Sequence, residues 1–346
     1  VAIDALTTDE MFEALHAKLH AIVPAFELRA KAELAVQINR IKRERGAIIL
    51  GHNYMEAALF NSVPDVVGDS LELSRKAAQT DKDPIVFCGV RFMAETAKIL
   101  NPKKTVLLPA KVAGCSLAAS ISADDIRALR KAYPGVPIVT YINTYADVKA
   151  EVDICCTSAN AAKVVESLKS DTVIFVPDEY LARNVANETG KKIIFPFASN
   201  SKSLEPGTMV AWKGRCEVHE QFTVEDVRSI RKQFPGVAVL SHPECSPEVV
   251  AESDLAASTS KMQTFVKQSK APHFLILTEC SMADNIIADN QDKDILRLCS
   301  IRCPHMNEIT LEDTLAALTH NQYVVDVPKD IADRARRSLE RMLEIS

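Results

Sequence analysis

The chain has 346 residues, enough for two or three domains around a large core. Hydrophobic residues make up 47% and charged residues 25%, the balance of a globular protein, and no apolar run approaches the length of a membrane span. A net charge of −5 argues against a broad nucleic-acid surface.

The first 45 residues read as two helices. The stretch DEMFEALHAKLHAIV has apolar residues at helical spacing, and ELRAKAELAVQINRIKRERG ends in basic residues and Gly46. The N-terminus carries acids and lacks the basic-then-apolar order of an export signal, so a cytoplasmic protein is expected. From Ala47 short apolar strands alternate with helices, the pattern of a parallel sheet with helical crossovers. AIILGHNY is a strand and loop, DSLELSRKAAQT a helix capped by Asp69 or Ser70, DPIVFCGV a strand, RFMAETAKIL a helix and KTVLLPA a strand, with Cys115 next. The series restarts with DDIRALRKAYPG and VPIVTYINTY. It continues through the helix TSANAAKVVESL, the strand DTVIFVPDE, the helix YLARNVANETG and the strand KKIIFPF to Cys216. It restarts again with VEDVRSIRKQFPG and VAVLSHPE and runs to Cys303, and two helices close the chain.

The repeat can be counted. His52 to Ser70, Tyr141 to Ser158 and His242 to Thr259 are 18, 17 and 17 residues. His52 to Gly89, Tyr141 to Pro177 and His242 to Thr278 are 37, 36 and 36. Fixed periods mark duplicated units. The expected fold is α/β, with three homologous αβα units whose short parallel sheets surround a pseudo-threefold axis. One continuous doubly wound sheet is the alternative. The boundaries are expected at 1–45 for the N-terminal helices, 46–117 for a first unit completed by helices in 311–346, 118–216 for a second and 217–310 for a third. In the second, residues 196–209 read as an inserted loop rich in Ser, Asn, Pro and Gly.

Ligands of parallel sheets bind beyond the carboxyl ends of the strands. There each unit presents a polar or aromatic pair: His52 with Tyr54, Tyr141 with Asn143, His242 with Glu244. Next comes a hydroxyl at the start of a helix: Ser70, Ser158, and the pair Ser258 and Thr259. Last comes a cysteine: Cys115, Cys216, Cys303. Three capped helix N-termini on one wall would suit an anion. Three thiolates suggest a soft metal. Zinc is one option, although such sites usually carry CxxC pairs and this chain has none. A [4Fe–4S] cluster with three thiolates is another, one iron keeping an exchangeable position. Nine scattered cysteines make a poor disulfide framework. The other six read as structural thiols, with Cys280 a weak alternative ligand and Cys299 a redox neighbour or a buried thiol.

GHNY, DSLEL, GVRFMAETAKIL, WKGRCEVHEQF, SHPE, ASTS and CPHM together resemble the quinolinate synthase family of NAD biosynthesis, from about Arg40 to about Leu318. The resemblance implies three αβα domains about a pseudo-threefold axis. It implies one [4Fe–4S] cluster on Cys115, Cys216 and Cys303, acting as a Lewis acid. It implies condensation of iminoaspartate with dihydroxyacetone phosphate to quinolinate, with release of phosphate and water. The implied substrate-binding residues are His52, Tyr54, Ser70, Tyr141, Asn143, Ser158, His219, His242, Glu244 and Thr259. From the residues' own chemistry, Ser158, Thr259 and Asn143 are expected to hold carboxylates, His52 and Ser70 the phosphate end, and Tyr54, Tyr141, His242 and Glu244 to serve proton transfers. An L-aspartate oxidase is the implied supplier of iminoaspartate. Many relatives carry CxxCxxC at the last site, whereas here three residues separate Cys299 from Cys303. From the residues themselves, a zinc-dependent lyase using Cys216 and His219 and a non-catalytic iron–sulfur sensor stay open.

Overall fold

The computed structural model describes residues 2–196, 204–298 and 300–345. Two helices lead in, α1 (Thr8–Leu19) and α2 (Ala25–Arg45). Thr7 and Glu10 close a capping box at α1, and Gly46 ends α2 with φ 63°, a left-handed position that glycine takes without strain. The first unit then runs β1 (Ile48–His52), α3 (Ala57–Phe60), β2 (Val66–Gly68), α4 (Ser70–Gln79), β3 (Ile85–Cys88), α5 (Arg91–Leu100) and β4 (Val106–Leu107). The second runs α6 (Ala123–Ala132), β5 (Ile138–Tyr141), α7 (Ala146–Lys149), β6 (Ile154–Cys156), α8 (Ala161–Ser167), β7 (Val173–Val176), α9 (Glu179–Thr189), β8 (Lys192–Ile194) and β9 (Thr208–Ala211). The third runs α10 (Val224–Gln233), β10 (Ala238–Ser241), α11 (Pro247–Ala251), β11 (Leu255–Ala256), α12 (Thr259–Gln268), β12 (His273–Leu277), α13 (Cys280–Asp289) and β13 (Asp294–Arg297). Three helices follow: α14 (Pro304–Asn307), α15 (Leu311–His320) and α16 (Lys329–Glu344).

Three separate sheets form, all parallel, with orders β2-β1-β3-β4, β6-β5-β7-β9-β8 and β11-β10-β12-β13. The single continuous sheet is therefore excluded. Every residue of β1, β3, β5 and β7 is buried, which is why their sequences read as unbroken apolar runs rather than alternating ones. The three units share a small device. An aspartate just before the second strand accepts the first strand's outer N–H: Asp65 from Ile49 at 2.8 Å, Asp153 from Ile138 at 2.8 Å, Asp254 from Val239 at 2.7 Å. It satisfies a strand-end donor that burial would otherwise leave costly.

The middle sheet differs from expectation. KKIIFPF supplies β8, an edge strand. The strand that leads toward Cys216 is β9, which sits between β7 and β8 where β4 and β13 sit in the other sheets. Part of the expected loop over 196–209 lies outside the described residues, and its last two residues, Thr208 and Met209, begin β9. Helix α15 packs on α2 and β3, and α16 packs on α7, β6 and α5. No helix among the described residues is long and apolar enough to cross a membrane.

Candidate active site

One cavity, about 660 Å³ of empty space including its mouth, lies where the carboxyl ends of the three sheets meet. His52, Tyr54, Ser70 and Cys115 reach it from the first unit; Tyr141, Asn143, Ser158 and Cys216 from the second; His219, His242, Glu244, Thr259 and Cys303 from the third and its leading loop. The cysteine loops are pinned alike. The residue opening the helix after each third strand donates its N–H to the carbonyl two residues before the cysteine. These bonds are Arg91 to Ala113 at 2.8 Å, Glu179 to Gly214 at 2.7 Å and Cys280 to Ile301 at 3.1 Å. Repetition of the fold thus delivers three thiols to one place.

A buried polar chain crosses the cavity wall. The Tyr54 hydroxyl lies 2.5 Å from Thr278 Oγ1, which lies 2.8 Å from His219 Nε2. His219 Nδ1 is 2.6 Å from Glu244 Oε2 and 3.2 Å from Cys216 Sγ. Glu244 also accepts from Asn143 Nδ2 at 3.2 Å and lies 3.3 Å from His242 Nδ1. His242 Nε2 lies 3.2 Å from Ser158 Oγ, and the His219 and His242 rings stack 4.6 Å apart. The units join here: Tyr54 comes from the first, Asn143 and Ser158 from the second, and Thr278 and Glu244 from the third.

Burial favours neutral forms throughout. It drives the His52 pKa down to about 3, and the nearby His242 adds to this. It raises the phenols of Tyr54 and Tyr141 well above their usual range, with Glu244 adding to the rise. Burial would raise Glu244 too, but His219 and His242 outweigh it and hold its carboxyl below the usual carboxylate range. Burial holds His219 below the usual imidazole range although Glu244 opposes it. Glu244 thus sits among hydrogen-bond donors that favour its ionised form. The thiols are pushed up by burial, Cys115 to about 12 and Cys303 to about 11, with Cys216 also well up.

Residues 36–344 match the family model described as Quinolinate synthetase A protein. The chain is 51% identical to Quinolinate synthase 2 of Mesorhizobium japonicum over 331 residues, 96% of this chain and 97% of that protein. It is 50% identical to Quinolinate synthase of Sinorhizobium fredii over 331 residues, covering 96% and 88%. It is 52% identical to Quinolinate synthase of Xylella fastidiosa over 308 residues, covering 89% and 86%. The chain belongs to the quinolinate synthetase A family. It is an enzyme of that family.

Within this quinolinate synthetase A chain, some local expectations need correction. Of the two cap candidates for α4, Asp69 is the one that caps, closing a box with Glu72, and Ser70 opens the helix as expected. Ser158 does not open a helix. It stands in a turn, with Asn160 capping α8 two residues later. Only the first and third units therefore bring a full helix N-terminus to the hydroxyl position. Cys299 lies outside the described residues. Cys88, Cys155, Cys156, Cys245 and Cys280 are buried, whereas Cys115, Cys216 and Cys303 are only partly covered.

The sequence reading missed Thr278, although the repeat had already marked its position. It also missed Asp178 and Glu279, both fully buried acids that cap the helices after β7 and β12. Glu279 Oε1 accepts from the Cys303 N–H at 3.4 Å. Tyr145 was missed as well, and its hydroxyl accepts from the Cys115 N–H at 3.3 Å.

The three cysteines are not the close-set group that a single ion would need. Three thiolates on one zinc would lie about 3.8 Å apart for Zn–S near 2.3 Å. Among the described residues the close-set ligand group, with atoms within 4.8 Å of one another, is instead Cys216, His219 and Glu244. Within it the 2.6 Å between Nδ1 and Oε2 is hydrogen-bond length. Two ligands of one tetrahedral zinc would stand about 3.3 Å apart. That group is therefore a hydrogen-bonded unit, and Cys115, Cys216 and Cys303 all line the same cavity.

Proposed function

We propose that this enzyme condenses iminoaspartate with dihydroxyacetone phosphate to quinolinate, with loss of phosphate and water, in the cytoplasm. The observation that carries the reading is the meeting of three partly covered cysteines and a buried acid–base chain in one cavity. Cys115, Cys216 and Cys303 would hold a [4Fe–4S] cluster, which when bound supplies a Lewis-acidic iron with one exchangeable position.

The chain's own residues bind and move protons. His52 Nδ1 accepts from the Tyr54 N–H at 3.2 Å, so the neutral ring keeps Nε2–H as its donor. With Ser70 it suits the phosphate end of the triose. Ser158 and Thr259 suit the carboxylates of the imine. Asn143 is oriented by Glu244: its Nδ2 is engaged there and its Oδ1 has no partner. That free acceptor suits the imine N–H better than a carboxylate.

Tyr54, Thr278, His219 and Glu244 form a path along which a proton can pass between the cavity and a buried carboxylate. Tyr141 and His242 are the further groups for the isomerisation and dehydration steps. An L-aspartate oxidase would supply the imine.

The test is quinolinate formation by anaerobically purified protein from the two substrates. Product formation that depends on both is the expected result. A protein that binds the metal centre yet forms no quinolinate would be a sensor, and the reading would fall.

A further inference from the structure

We propose that Ser116, Glu217 and His305 form a clasp that ties the three cysteine loops together and sets their spacing. The inference rests on the reading of Cys115, Cys216 and Cys303 as ligands of one centre. Ser116 and Glu217 directly follow the first two cysteines, and His305 is two residues past the third. Ser116 Oγ donates to Glu217 Oε1 at 2.8 Å, and His305 Nε2 lies 3.3 Å from that same oxygen. One carboxylate oxygen beside the second cysteine therefore takes a contact from beside the first cysteine and one from beside the third. The other ring nitrogen of His305 lies close over Gly114, where a Cβ would stand 3.9 Å from it.

The clasp matters because of how the units are built. Each unit has its own sheet, so packing inside a unit fixes one cysteine but not its distance to the other two. Contacts between units must set that distance. Groups just beyond the ligands commonly perform this orienting task at metal sites. Glu217 and His305 are 42% and 31% exposed, so the contact is worth the modest amount of a surface pair and tunes the spacing rather than holding the fold.

The test compares wild type, Glu217→Gln and Glu217→Ala in two measurements. One is iodoacetamide alkylation of each cysteine in reduced, metal-free protein, followed by peptide mass spectrometry. The other is the rate at which cluster-loaded protein bleaches in air. Glu217→Ala should speed alkylation of Cys115, Cys216 and Cys303, and bleaching, by about three- to tenfold, the scale of one or two hydrogen bonds. Glu217→Gln keeps an acceptor and should fall between. Cys88, Cys155 and Cys156 should react as in wild type. Equal rates for wild type and Glu217→Ala in both measurements overturn the clasp. Faster alkylation of the core thiols as well also overturns it, since that is general loosening. A wild type that takes up no cluster removes the ligand reading, while the alkylation pattern still decides whether Glu217 ties the loops.

Discussion

His219 Nδ1 lies 2.6 Å from Glu244 Oε2, and both side chains are buried. The same nitrogen is 3.2 Å from Cys216 Sγ, so one ring joins a candidate ligand sulfur to the buried carboxylate of the acid–base chain. Replacing Glu244 tests this junction. Glu244→Gln keeps the shape and an acceptor but removes the charge. Its turnover should fall about 10²- to 10⁴-fold, the range of general acid–base loss, with little change in KM. Glu244→Ala should also lose about 1–3 kcal/mol in denaturant unfolding, because the Asn143 and His219 donors lose their partner.

The hydroxyl relay makes a separate prediction. Tyr54→Phe removes the group 2.5 Å from Thr278, and Thr278→Val removes the bridge to His219. Each should lower quinolinate formation by roughly 10²-fold or more. The double variant should be little worse than either single one, because both break one chain. Fully additive losses, measured as rates of product formation, would separate the two residues.

Acid sensitivity should trace in part to His52. Burial holds its folded pKa at about 3 against an ordinary 6.5. Below pH 6.5 the unfolded chain therefore binds a proton that the folded chain does not. Stability falls as the pH drops from 6.5 toward 3, by roughly 1.4 kcal/mol per unit from this residue, and is unaffected above 6.5. Denaturant unfolding at pH 7 and pH 5 should show wild type losing about 2 kcal/mol more than His52→Gln.

The cysteines should divide into two classes. Cys115→Ala, Cys216→Ala and Cys303→Ala should lose the metal centre while remaining folded. Cys156 is fully buried in β6 and belongs to the core. Cys156→Ala should keep the metal and cost about 1 kcal/mol of stability in thermal unfolding.

Much of this was legible in the sequence. The central strands β1, β3, β5, β7, β10 and β12 were readable because burial on both faces demands continuous apolar residues. The repeat then placed His52, Tyr141 and His242, and with them the three cysteines, at one end of the sheets. The edge strands β2, β6 and β11 were not readable. They have two or three residues each, too few to show a period. β9 was hidden behind Glu-Pro-Gly in a stretch that reads as loop. Ser158 was misread as a helix start because Thr-Ser is a common cap, whereas the chain makes a full turn before Asn160. Thr278, Asp178 and Glu279 look like ordinary helix caps in sequence. Their burial against the cavity wall and the cysteine loops depends on packing between elements far apart in the chain.

The most direct test of the account is the iron and sulfide content of anaerobically purified protein, taken with its absorption spectrum and repeated for Cys216→Ala. The account predicts about four iron and four sulfide per chain and a brown absorption band, both lost in Cys216→Ala. Stoichiometric zinc, or a Cys216→Ala protein that keeps its full iron content, would contradict it.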